Sequence, residues 1–124
     1  MNQLLAIAAG GAFGAVSRFW VSTSVYQWLG KDFPYGTLAV NVAGSLVMGL
    51  LYVLLIERLT SAPEVRAILL IGFLGSFTTF STFSLETLNL IEQAELLKAV
   101  LNIVTSLVSC LLAAWFGMLL ARTL

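Results

Sequence analysis

Residues 76–84 read Ser-Phe-Thr-Thr-Phe-Ser-Thr-Phe-Ser, so every side chain in the run is a hydroxyl or a phenyl ring. That pairing handles ions without fixed charge. Hydroxyls donate and accept hydrogen bonds, and a phenyl ring carries a negative face and a positive edge. Phe80 and Phe83 stand at i and i+3 and share one helix face, with Ser81, Thr82 and Ser84 interleaved. Two ring edges beside a polar track hold a small anion weakly enough to release it, as conduction requires. The plain alternative is packing of both rings in the core or against lipid. Other chemistry is poorly supplied. The chain has no His and one Cys, Cys110. That excludes His/Cys metal clusters, Cys-His catalysis and an intrachain disulfide.

The elements that carry this run follow from composition. The 124 residues are 60% hydrophobic and 10% charged, with zero formal net charge. An ordinary soluble domain is about 25% charged. A soluble globule of this size has too much surface to hide so much apolar area. With no net charge there is no basic field to hold nucleic acid. An integral membrane protein remains.

The twelve charges are clustered. Stretches 4–28 and 67–91 hold one each, Arg18 and Glu86, while 36–56 and 99–121 hold none. Each stretch reaches the roughly 20 apolar residues that cross a bilayer. They predict four transmembrane helices in one domain over 1–124. The apolar N-terminus resembles a signal-peptide core, but it lacks a basic start and runs on to Trp28, so cleavage is not expected. The 30–34 turn contains Pro34, which is excluded from helix interiors. Thr60 to Glu64 reads as a helix start, with Ser61 as the cap and Pro63 in the first turn.

Four spans put Arg58, Arg66 and Arg122 on one side and Lys31 and Lys98 on the other. A Lys/Arg excess orients a membrane protein, and three against two is almost none. Either one Arg decides, or the chain inserts both ways and opposed copies pair about an in-plane axis.

Small residues mark helix contacts in lipid, here Gly10-xxx-Gly14, Ser45-xxx-Gly49 and Ser109-xxx-Ala113-xxx-Gly117. Thr37, Asn41 and Ser45 form one polar stripe in the second span; Asn102, Ser106 and Cys110 form another in the fourth. Interhelical hydrogen bonding and an ion-lined path both fit these stripes. In the third span, Gly72 and Gly75 precede the Ser/Thr/Phe run, and all are weak helix formers. Hydroxyls compete for backbone groups, and opened backbone in a bilayer must be buried or line a cavity. This predicts a helix break mid-membrane near 75–80, with carbonyls suited to a small cation. Glu86 shares a stripe with Thr82, and an intramembrane carboxylate usually has a function or a partner. Arg18 is the one intramembrane cation in this reading; it either lies in the bundle, where pairing with Glu86 is open, or snorkels.

Gly36-Thr37-Leu38 with Asn41, and Gly72-Phe73-Leu74-Gly75 running into Thr78-Thr79-Phe80-Ser81-Thr82-Phe83-Ser84 and Glu86, closely resemble the Fluc (CrcB) family of fluoride channels. Gly10, Gly11 and Arg18 fit it too, and the resemblance covers the whole chain. It implies an all-α membrane protein with the third helix broken, assembled as an antiparallel, dual-topology homodimer. Two pores per dimer would pass fluoride, selectively over chloride. The resemblance assigns Phe80 and Phe83 to the pore walls, Asn41 to ion coordination and Thr37 to a vestibule. Ser81, Thr82, Ser84, Ser106 and Cys110 would form the polar track, with Arg18 and Glu86 as vestibule or track candidates. It also implies a structural, non-transported sodium ion held by backbone carbonyls of Gly75 and Thr78. The implied role is fluoride export across a bacterial inner membrane. Two positions depart from the pattern: Ser76 replaces a usual Gly, and Cys110 replaces a usual hydroxyl.

The main rival is a small multidrug or guanidinium exporter, also of four spans. Proton-coupled exporters of that type carry a Glu in the first helix, where this chain has Arg18 and no acid. A non-transporting subunit leaves the Ser/Thr/Phe run unexplained, and the spans hold no convincing catalytic pair for an enzyme.

Overall fold

In a computed structural model, residues 2–58 and 62–124 are described. The chain is all helical over these residues. Helix α1 covers Asn2–Leu29 and ends at Gly30, whose φ of 88° is the left-handed conformation that closes a helix most easily with glycine. Helix α2 covers Tyr35–Arg58, α-helical to Tyr52 and then π-helical from Val53 to Arg58. Pro34 immediately precedes it. Helix α3, residues 63–77, starts with Pro63 in its first turn, widens to π-helical turns over Ala67–Leu74, and ends at Phe77. Proline suits that start because its missing N–H has no helical partner there anyway. The expected cap Ser61 lies outside the described residues.

Thr78 and Thr79 are extended, with φ/ψ of −80°/155° and −148°/116°. Helix α4 (Phe80–Glu92) begins directly after them, and α5 (Leu96–Thr123) follows a short turn. Among the described residues, four helical segments are long and apolar enough to cross a membrane: α1, α2, α3 with α4 as Pro63–Glu92, and α5.

The helices meet where side chains are smallest. A Cβ on Gly10 or Gly14 would collide with the α3 backbone at Ile68 or Phe73. Across the bundle, Gly49 of α2 lies against the Ala114 backbone of α5, and Gly117 of α5 against Leu46 of α2. Close backbone approach through small residues is how helices associate where water supplies no hydrophobic drive. These two seams join α1 to α3 and α2 to α5. The Thr78–Thr79 link lies against α2: a Cβ on Gly44 would strike Thr78.

At one end of the bundle, Arg122 reaches Glu57 with Nη2–Oε2 at 2.9 Å and Nε–Oε1 at 3.3 Å, and Arg58 donates to the Arg122 carbonyl. The contact is exposed, so its contribution is small.

Candidate functional site

The extended link turns backbone groups away from their helical partners. In a continuous α-helix the Thr79 N–H would bond the Gly75 carbonyl. Instead it donates to Asn41 Oδ1 at 2.7 Å, and Asn41 Nδ2 donates back to the Thr79 carbonyl at 3.0 Å. One asparagine on α2 thereby pairs both groups of the residue that needs them. Thr79 also starts the next helix. Its Oγ1 accepts from the Thr82 N–H at 3.1 Å, a cap bond, and donates to Thr82 Oγ1 at 3.0 Å. Thr78 folds its hydroxyl back onto the Leu74 carbonyl.

Beside the link is a cavity of about 330 Å³. It is formed by α2, the link, the start of α4 and the middle of α5. Asn41, Thr79, Phe80, Phe83, Ser106 and Cys110 all line it. Thus residues from three separate stretches of sequence meet on one groove. The Phe80 and Phe83 rings are 5.4 Å apart and tilted by 42°. Their surroundings differ: Phe83 is buried at 8% exposure, while Phe80 is 73% exposed. Phe83 is a wall built within the chain, and Phe80 projects from it.

Behind Phe83 runs a hydrogen-bonded polar chain. Ser106 donates to Asn102 Oδ1 at 3.3 Å, Asn102 donates to Thr87 at 2.9 Å, and Thr87 donates to the Phe83 carbonyl at 2.8 Å. All three side chains are buried. It joins α5 to α4 and fixes the turn of helix that carries Phe83.

The remaining predicted residues lie elsewhere. Arg18, Thr37 and Thr82 face a separate cavity of about 220 Å³ between α1, α2 and the link. Ser84 is half-buried and donates to the Phe80 carbonyl. Ser81 is exposed, within 3.3 Å of the Thr79 hydroxyl. Gly75 is exposed on α3. Glu86 is in a third cavity of about 340 Å³, and the bond it makes is with Tyr26, not Arg18.

Sequence reasoning missed Tyr26, Thr79 and Thr87. Thr79 stands inside the singled-out run, and its hydroxyl is of the type favoured at a helix start. Tyr26 carries no local signal, since Glu86 is 60 residues away, and the side-chain partner of Thr87, Asn102, lies on the next helix.

A family model described as CrcB-like protein, Camphor Resistance (CrcB), matches residues 5–118. The chain is 60% identical to the fluoride-specific ion channel FluC of Methylococcus capsulatus over 98% of this chain and 54% of that protein. It is 48% identical to the channel of the same name from Magnetococcus marinus, over 97% of this chain and 98% of that one. Against that of Coxiella burnetii it is 49% identical over the full length of both. The chain spans about half the length of the Methylococcus relative and nearly all of the other two. With membrane-length helices and a family match over almost all of its residues, the chain belongs to the CrcB family.

Proposed function

We propose that this protein is a fluoride-selective channel that lets fluoride leave the cytoplasm passively across the bacterial inner membrane. The observation that carries the reading is the groove beside Thr78–Thr79, where two phenyl rings, an asparagine and two serines meet, with no charged side chain among the described residues lining it. The relatives named as fluoride-specific channels support it.

The chemistry follows from the groove. Fluoride is small and binds water strongly, so a path must replace part of its hydration. Ring edges offer positive CH groups without a fixed charge that would trap the ion. Asn41 uses one of its two amide hydrogens on Thr79, leaving the other available to the ion. Ser106 reaches Asn102 across 3.3 Å, a long O–H···O distance, so its hydroxyl is the one most easily turned toward a passing anion. Ser81, Thr82, Ser84 and Cys110 extend the track on either side in this reading, Cys110 with a weaker donor. Thr37 with Arg18 belongs to a vestibule that draws anions in.

The working unit is an antiparallel, dual-topology homodimer with two pores. Phe80, largely exposed in one chain, would complete its wall against the second. The Thr78–Thr79 link is read as a helix break at mid-membrane. A structural sodium ion would sit at the break on carbonyls of Gly75 and Thr78. The donor set fits: α3 ends there with carbonyl oxygens, and the Thr79 N–H that would cover the Gly75 carbonyl is bonded to Asn41. Carbonyl oxygen is the ligand a hard cation takes. When bound, the ion would supply a fixed positive charge between the two chains.

A proton-coupled exporter is not favoured, because Glu86 is held by Tyr26 outside the groove. Purified protein in fluoride-loaded liposomes separates the two. A channel releases fluoride with no pH gradient once valinomycin clears the potassium voltage. Release that requires a proton gradient would refute the reading.

A further inference from the structure

Glu86 is a carboxylate on α4, one turn beyond Thr82 and Phe83. A loose negative charge at that distance repels an anion in the groove. The structure accounts for how it is kept in place. The Tyr26 hydroxyl of α1 donates to Glu86 Oε2 at 2.6 Å. The same hydroxyl lies 3.4 Å from the Thr37 N–H, which donates to it, and 3.3 Å from Thr37 Oγ1. Thr37 is in the first turn of α2, where backbone N–H groups lack helical partners. The positive end of α2 therefore polarises the Tyr26 hydroxyl, which strengthens its bond to the carboxylate. The other oxygen, Oε1, is buried and has no hydrogen-bond partner among the described residues. Such an atom is costly to hold, so the position is imposed by the Tyr26 contact and its surroundings rather than by Glu86's own preference.

We propose that Tyr26 is a positioning residue for conduction: its hydroxyl tethers the Glu86 carboxylate at the α1–α2–α4 junction and keeps that charge off the fluoride path. The proposal rests on the channel reading. Untethered, the carboxylate is free to turn from the polar cavity it lines with Lys31, Asp32, Asn89 and Gln93 toward Thr82 and Phe83, one turn back on the same helix. There it acts on an anion in the groove as a mobile negative charge.

The test uses full-length protein in liposomes and a fluoride electrode. Tyr26→Phe removes only the hydroxyl and should lower fluoride flux by roughly three- to tenfold, the scale of one partly screened charge nearby. Adding Glu86→Gln to Tyr26→Phe should restore flux, because the repelling charge is gone while the hydroxyl is still missing. A purely structural tyrosine would not be rescued in this way. A second comparison leaves Tyr26 intact. Glu86→Asp is one methylene short of the hydroxyl and keeps a free charge, so it should conduct more slowly than Glu86→Gln. Unchanged flux in Tyr26→Phe, a double variant as slow as Tyr26→Phe alone, or equal rates for the Asp and Gln variants would each overturn the tether. Wild-type protein that passes no fluoride would instead refute the channel reading itself.

Discussion

Both ends of the Asn41 amide bind one residue, Thr79, and that pairing closes the backbone where α3 stops. Asn41→Ala leaves the Thr79 N–H and carbonyl without partners. A group orphaned in this way costs about 1–3 kcal/mol, so thermal unfolding in detergent should show a loss of that order. A loss below about 0.5 kcal/mol, the range of ordinary surface substitutions, would show that another group takes over. The asparagine was legible in the sequence as part of the polar stripe Thr37, Asn41 and Ser45 in an apolar span. Its partner was not, because the two are 38 residues apart and only the fold brings them together. The same holds for Tyr26 and Glu86, 60 residues apart. By contrast, Phe80 and Phe83 share a face by helical spacing alone, and their rings do touch. Spacing says nothing of their unequal burial, which depends on where α2 and α5 lie.

At the scale of the element, α4 depends on the residue before it. Thr79 accepts the Thr82 N–H and so satisfies one of the unpaired donors at the helix start. Thr79→Val keeps the shape and removes the acceptor, and should lower stability by about 1 kcal/mol. Thr79→Ser retains the oxygen and should unfold close to wild type. Equal losses in both variants would mean that the methyl group, not the cap, matters. The four membrane-length helices were readable from where the charges fall, since a bilayer excludes charge over a fixed thickness. The π-helical turns at Val53–Arg58 and Ala67–Leu74 were not, because these stretches have no glycine run or proline to announce a change of winding.

At the scale of the molecule, one chain leaves its apolar surface uncovered. Little of α5 is buried, and Phe13, Phe19, Trp20 and Trp28 of α1 are exposed. Lipid covers such faces, and a second copy would do so in the proposed dimer. With Lys and Arg almost balanced between the two ends, the antiparallel reading expects both orientations in one membrane. A cysteine placed at Lys31 in a Cys110→Ser background should react from each side in about half of the molecules. Reaction from one side alone would contradict it.

In the proposed channel, the groove beside Thr78–Thr79 conducts fluoride by its ring edges. The direct measurement is anion efflux from proteoliposomes of wild type, Phe80→Ile and Phe83→Ile, with fluoride and chloride followed in parallel. Fast fluoride release and retained chloride are expected for wild type. Fluoride release should slow at least about tenfold in each variant, the worth of about 1.4 kcal/mol at a ring contact. Wild-type chloride release matching that of fluoride, or variants that release fluoride as fast as wild type, would contradict it.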